Sequence, residues 1–243
     1  MGMMSCQRQI LACIFAYRTI FISFVDDFPF STMMFCNAAT GAVSKPKLAV
    51  FASGNGSNAQ RLAEFFHADG SATISVICSN KPDAFVLERA KQMGIPSVVF
   101  NRKSFYETED LLRFLQSQSV DWIVLAGFLW LIPEYLLKAF PGRIVNIHPA
   151  LLPKYGGKGM YGSKVHEAVI AAGEKESGIS IHFVNGKYDE GQVIFQAKCA
   201  VEPLDTPETL AQKIHALEYE YFPKVLKELF TTVVPAPPKD DIL

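Results

Sequence analysis

The sequence has no surplus of charge of either sign, no cysteine pairing pattern and no uninterrupted apolar run long enough to cross a bilayer. Its 23 basic and 24 acidic residues leave a net charge of -1 over 243 residues. Such a balance writes no global attraction to nucleic acid or to an anionic membrane surface into the chain. The five cysteines are Cys6, Cys13, Cys36, Cys78 and Cys199; their number is odd and no CxxC or metal-ligand spacing occurs. Neither a structural disulfide nor a zinc site is therefore expected, and a reducing, cytoplasmic setting is the natural reading. The apolar stretch over residues 10–25 is broken by Arg18 and falls short of the roughly 20 residues a membrane helix needs. What is present is apolar content, 49% of the chain, ample for the core of one globular domain.

That content is unevenly arranged. Residues 1–46 lack the patterning of the rest and read as a non-catalytic N-terminal extension. Asp26-Asp27-Phe28-Pro29-Phe30 spoils a signal-peptide cleavage pattern, and Met33 and Met34 lie shortly before the first well-patterned strand, as an upstream start codon would leave them. Residues 47–232 carry regular patterning, and residues 233–243 form a Pro-rich, charged tail expected to be flexible.

Within 47–232, short apolar runs at residues 47–52, 73–78, 97–100, 122–126 and 143–148 alternate with helical patterns at 59–66, 84–93 and 104–117. Strand–helix repetition at this spacing predicts an α/β fold with a doubly wound, mostly parallel sheet. Ligands of such sheets sit beyond the carboxyl ends of the strands, near the point where strand order reverses. Further on, residues 180–184 and 192–198 read as strands, and Thr206 as the N-cap of a helix running through Glu218 towards Tyr221.

Two stretches at strand ends carry chemistry. Ser53-Gly54-Asn55-Gly56-Ser57-Asn58 joins the first strand to the first helix, a layout that aims backbone N–H groups and a helix dipole at an anion. Ser57 and Asn58 are placed to cap that helix or to reach a phosphate. Gly54-x-Gly56-x-x-Ala59 also matches the relaxed dinucleotide fingerprint, but the second strand ends in Ser79-Asn80-Lys81 without the acid a ribose requires. A phosphate-sized anion fits better than a dinucleotide. The second stretch is Asn146-Ile147-His148-Pro149, where period-two alternation puts an amide and an imidazole on one face and Pro149 stops the strand. A lone histidine there would read as a satisfied core residue; the neighbouring amide, the Gly-rich loop that follows and the downstream acid Asp189 favour a reactive centre. His166 reads as a packed or solvated imidazole on a helix that begins near Ser163. The apolar group at 128–132 is either core or a wall for a flat heterocycle.

Taken in order, Ser53-Gly54-Asn55-Gly56-Ser57-Asn58, Leu125-Ala126-Gly127-Phe128, Asn146-Ile147-His148-Pro149-Ala150-Leu151-Leu152-Pro153-Lys154, His182-Phe183-Val184 and Asp189-Glu190-Gly191-Gln192-Val193-Ile194 resemble the phosphoribosylglycinamide formyltransferase family of purine (IMP) biosynthesis. The resemblance spans about residues 47–230. It implies a formyltransferase fold with a Rossmann-like N-terminal half and transfer of a formyl group from the co-substrate 10-formyltetrahydrofolate to the amine of 5-phosphoribosylglycinamide, without a metal. It implies Asn146, His148 and Asp189 as the catalytic triad, with a protonated His148 stabilising the oxyanion. Gly56, Ser57 and Asn58 would hold the ribose phosphate and Glu218 the sugar hydroxyls. Leu129, Trp130, Leu131 and Ile132, with Asn146, Val184 and Tyr188, would line the folate site. The implied protein is a monomer or homodimer. Two departures stand out: Trp130 replaces an Arg found in some relatives, and the loop over residues 155–166 is longer and richer in Gly. The alternatives are a formyltetrahydrofolate hydrolase, disfavoured because Pro149 stands where that enzyme carries a second His, and a nicotinamide-dinucleotide oxidoreductase, which leaves Asn146, His148 and Asp189 without a role.

Overall fold

The structure, a computed structural model, describes residues 45–232; the tail expected at 233–243 and nearly all of the extension expected at 1–46 lie outside the described residues. In chain order the elements are β1 (Lys47–Phe51), α1 (Ser57–Asp69), β2 (Thr73–Ser79), α2 (Phe85–Gln92), β3 (Ser97–Val99), α3 (Arg102–Glu107), α4 (Asp110–Ser117), β4 (Trp122–Leu125), α5 (Glu134–Ala139), β5 (Ile144–His148), α6 (Ser163–Ala171), β6 (Glu176–Phe183), β7 (Val193–Ala200) and α7 (Pro207–Thr232). The strands form one sheet in the order β3-β2-β1-β4-β5-β6-β7. Pairs from β3 through β5 are parallel, and β6 and β7 are antiparallel additions.

Helices cover both faces of the sheet, so the inner strands are apolar on both sides. In β1, Leu48 and Val50 join a core cluster with α1, α2, α6 and α7, while Ala49 and Phe51 join a second cluster with α3, α4 and α5. All four are fully buried, as a central parallel strand requires. Strand order reverses between β1 and β4, and the loops leaving these two strands are tied together there. The Ser53 N–H donates to the Gly127 carbonyl at 3.0 Å, and the Leu129 N–H donates to Ser53 Oγ at 3.1 Å.

Three elements differ from expectation. The helix expected over 104–117 is two helices, because Asn101 and Ser104 form a reciprocal capping box that starts α3, and Thr108 is extended. The strand expected from residue 180 begins at Glu176, in an eight-residue β6 that pairs with β7 along its length. The last helix continues past Tyr221 through Pro223 to Thr232. Its buried Leu210, Ile214, Phe222 and Leu226 anchor both sides of the proline, and tertiary packing outweighs the single backbone bond lost there.

Candidate active site

At the carboxyl ends of β1, β4 and β5 lies a cavity of about 680 Å³. Its walls are the turn after β1, the loop after β4, the end of β5, the Gly-rich segment 157–162, the Asp189 loop and one face of α7. A smaller groove of about 460 Å³ lies at the opposite ends of the strands, between α1 and β2, away from every residue discussed below.

The turn after β1 is built around Gly56. Its φ of 75° is left-handed, and a Cβ there would stand 2.3 Å from Val86 Cγ2, so only glycine fits. Gly56, not Ser57 or Asn58, is the N-cap of α1, and no side chain caps the helix. The first intrahelical bond is from the Gln60 N–H to the Gly56 carbonyl at 3.0 Å, so the N–H groups of Ser57, Asn58 and Ala59 precede the helical ladder and point out of its positive end. The Asn58 side chain is held by α7. Its Nδ2 donates to Glu218 Oε2 at 2.9 Å across 160 residues. Glu218 is 6% exposed, and burial pushes its pKa up, with the Asn58 hydrogen bond and His215 pulling the other way. Lys81, at the end of β2, faces the same cavity.

At the other end, sheet register assembles the reactive cluster. In the antiparallel β5–β6 pair Asn146 stands opposite His182 and His148 opposite Ser180. The His182 Nδ1–H donates to the Phe183 carbonyl at 2.8 Å, which leaves Nε2 to accept from Asn146 Nδ2 at 3.0 Å. The second proton of that amide makes a longer contact, 3.4 Å, to Asp189 Oδ1. His148 Nε2–H donates to the Tyr155 carbonyl at 2.8 Å, and its Nδ1 faces Asp189 Oδ2 at 3.6 Å. Ser180 fixes the chain reversal that brings Tyr155 there: its Oγ donates to the Ala150 carbonyl at 2.7 Å and accepts from the Leu152 N–H at 2.9 Å.

Asp189 reaches this cluster through strained backbone. Its φ is 55°, a conformation that Asp tolerates better than most residues. Its Oδ2 accepts from the Gly157 N–H at 2.9 Å and its Oδ1 lies 3.6 Å from His182 Nε2. Two residues on, Gly191 passes so close to β6 that a Cβ would fall 1.7 Å from the Phe183 carbonyl oxygen. Burial acts to raise the Asp189 pKa, but the facing His182 and His148 rings and the Gly157 N–H outweigh it, and the carboxyl stays below its ordinary range. His148 goes the other way. Burial, the largest influence, lowers its pKa below 6.5, and Asp189 and the Tyr155 carbonyl recover only part of the loss. Asp189 is thus held as a carboxylate, and both His148 ring nitrogens face acceptors while burial opposes the ring's charge. The protonated His148 expected from the resemblance is opposed by desolvation and favoured by Asp189 at 3.6 Å and by the Tyr155 carbonyl.

The structure thus brings Asn146, His148, Asp189, Gly56, Ser57, Asn58, Glu218, Leu129 and Tyr188 to one cavity. It does not bring Trp130, Leu131, Ile132 or Val184 to its walls. Ile132 is core, and Trp130 and Val184 pack against the cluster on the α3–α5 face of the sheet. Trp130 stacks near Phe105 (5.5 Å between centroids), with Arg102 at 5.9 Å over its ring. Leu131 contributes its carbonyl, which accepts from Tyr106 Oη at 3.0 Å. Three histidines around the cavity had no site role in the sequence. His182 is recoverable from the period-two pattern that puts it on the Ser180 face of β6; His166 and His215 are separated in sequence from every motif and meet only in the fold. Among the described residues no cluster of His, Cys, Asp and Glu has metal-binding geometry, and no helix is long and apolar enough to cross a membrane.

Comparison with known proteins agrees with the geometry. The family described as Formyl transferase matches residues 46–226. The chain is 43% identical over 189 residues to the chloroplastic phosphoribosylglycinamide formyltransferase of Arabidopsis thaliana, a match covering 75% of this chain and 64% of that protein. It is 41% identical to the phosphoribosylglycinamide formyltransferase of Haemophilus influenzae, covering 74% of this chain and 85% of the relative. The crystal structure of phosphoribosylglycinamide formyltransferase from Anaplasma phagocytophilum superposes with a TM-score of 0.71 at 35% identity, over 77% of this chain and 88% of that one.

Proposed function

The chain belongs to the formyl transferase family, and on that premise we propose that it passes the formyl group of 10-formyltetrahydrofolate to the amine of 5-phosphoribosylglycinamide, a step of purine biosynthesis. The observation that carries this reading is the meeting, in one cavity, of a helix N-terminus suited to a phosphate and the Asn146–His148–Asp189 cluster at its far wall.

The ribonucleotide phosphate is read at the N–H groups of Ser57 and Asn58 after Gly56, with Lys81 nearby and Glu218 on the sugar hydroxyls. Its amine attacks the formyl carbon, which places a negative charge on the formyl oxygen and a positive charge on the amine nitrogen. The Asn146 proton on the long contact to Asp189 is the one free to turn to that oxygen. A donor so placed is worth about 3–4 kcal/mol, or 10²–10³ in rate. Neutral His148 is poised to take the amine proton; the resulting imidazolium faces the Asp189 carboxylate, which then stabilises it. The proton passes on to N10 as the carbon–N10 bond breaks, leaving tetrahydrofolate and the formylated amide.

We place the folate with Leu129, Asn146 and Tyr188 at the cavity wall. Leu131 would act through its backbone, and Trp130, Ile132 and Val184 would support the loop from behind. The reaction is assigned to residues 47–232, so a chain lacking residues 1–46 should keep its turnover. One chain supplies every wall of the cavity, compatible with a monomer or a homodimer and checked by size-exclusion chromatography with light scattering. An odd cysteine count with no pairing pattern supports the cytoplasm; the chloroplastic name of the Arabidopsis relative makes localisation of a full-length fluorescent fusion the direct check.

The test of the activity is spectrophotometric. Conversion of 10-formyltetrahydrofolate to tetrahydrofolate is followed with and without glycinamide ribonucleotide. Conversion that depends on the ribonucleotide is expected; equal conversion in its absence would sink the transferase reading.

A further inference from the structure

His166 is accounted for neither by the core nor by the triad. It stands in α6 between Val165 and Val169, residues that pack inward, and is itself 3% exposed, yet its ring borders the cavity. Its Nδ1 is fully buried and has no hydrogen-bond partner. A buried polar atom left unpaired costs about 1–3 kcal/mol, and native structures hold few of them. Among the described residues the other buried side-chain atoms in this state belong to Ser71, Asn80 and Ser177, none of which lines the cavity. A histidine kept for packing would turn its N–H to a nearby carbonyl, as His182 does to Phe183.

Position and charge state suggest what the cavity-facing side of the ring can bind. Burial and then His215 hold the His166 pKa low; Glu167 opposes them, and His148 adds a smaller lowering. The ring is neutral at pH 7 and offers one donor and one acceptor. His148 marks the amine end of the cavity. His215 neighbours Glu218, which holds Asn58 at the phosphate turn. His166 thus lines the same cavity as the groups that mark these two ends. The phosphate already has the start of α1, and a neutral, desolvated imidazole is matched to an uncharged hydroxyl or amide.

We propose that His166 is a further substrate-binding residue, whose imidazole hydrogen-bonds the uncharged ribose–glycinamide portion of the ribonucleotide. The proposal rests on the formyl-transfer reading above.

Two variants test it. His166→Phe keeps a flat ring and removes both polar atoms, whereas His166→Gln restores a donor and an acceptor. KM is measured separately for glycinamide ribonucleotide and for 10-formyltetrahydrofolate, with Tm recorded for each variant. His166→Phe is expected to raise the ribonucleotide KM about tenfold, the loss of one well-placed hydrogen bond. The folate KM should stay within about twofold, and His166→Gln should recover most of the difference. An unchanged ribonucleotide KM in His166→Phe, or equal rises in both KM values, would overturn the proposal. Should His166→Phe fail to fold, imidazole ¹⁵N NMR of the unaltered protein decides. Glycinamide ribonucleotide alone should shift the His166 signals and inorganic phosphate should not; signals unmoved by the ribonucleotide overturn it. An unaltered protein that transfers no formyl group would instead refute the parent reading, so the two failures are separable.

Discussion

The cavity has a carboxyl group at each end, and the fold shifts the two pKa values in opposite directions. Asp189 is 12% exposed at its side chain and its pKa is lowered; Glu218 is 6% exposed and its pKa is raised. Burial acts to raise both, and Glu218 is the more deeply buried of the two. The partners differ as well: Asp189 faces two imidazoles, an amide and a backbone N–H, whereas the one hydrogen bond to the Glu218 carboxylate comes from Asn58. Partners together with depth decide which way a carboxyl pKa moves. An ionised acid is useful beside the amine, where a cation forms; an acid that gains a proton readily is suited to sugar hydroxyls.

The hardest way to break this arrangement is to remove the groups the ionised end serves. Asn146→Ala and His148→Ala should each lower kcat at least ~10²-fold with Tm nearly unchanged. Near-normal turnover in either variant would take that residue out of the mechanism. Next in size is Asn58→Leu, which deprives Glu218 of its partner and disturbs the phosphate turn. The ribonucleotide KM should rise by about tenfold or more while the folate KM barely moves, and equal changes would mean that this turn is not the phosphate site.

A smaller effect sharpens the contrast through pH. Because burial lowers the His148 pKa, the acid limb of kcat should fall below pH 6.5, with activity lost as His148 gains a proton. Asp189 acts to raise that pKa, so Asp189→Asn should move the limb of the residual activity to still lower pH. A shift upward would contradict the assignment. The smallest effect belongs to Glu218. Its folded pKa is raised, so its contribution to stability is complete below the unfolded value near 4.5 and is lost as pH climbs through the folded value. Thermal scans of Glu218→Gln should therefore show a Tm that declines less from pH 5 to pH 8 than that of the unaltered protein.

Read residue by residue, the chain announces its parallel sheet because buried strands must be apolar on both faces, and β1 and β4 have little choice of role. It also announces the turn at Gly56, since a left-handed φ and the approach of Val86 admit no side chain. Asn146 and His148 share a face by strand periodicity alone. The motif resemblance supplied Asp189 and Glu218, which no local pattern marks. Local signals misled where their strength is short-ranged: apolar spacing over 104–117 hid a helix break at Thr108, and Pro223 understated a helix that packing carries through.

Three matters belonged to the folded chain. The charge of His148 depends on how completely the fold desolvates it, which outweighs the acid that pairing alone would credit. The loop near Trp130 divides between cavity wall and packing: Leu129 lines the cavity, Ile132 is core, and Trp130 stays half-buried against Phe105, Tyr106 and Arg102 of α3. His166 and His215 reach the cavity from α6 and α7, elements whose sequences carry no site motif. Periodicity and steric demands act over a few residues and are written locally; desolvation and the meeting of distant side chains exist only once the sheet and helices have packed.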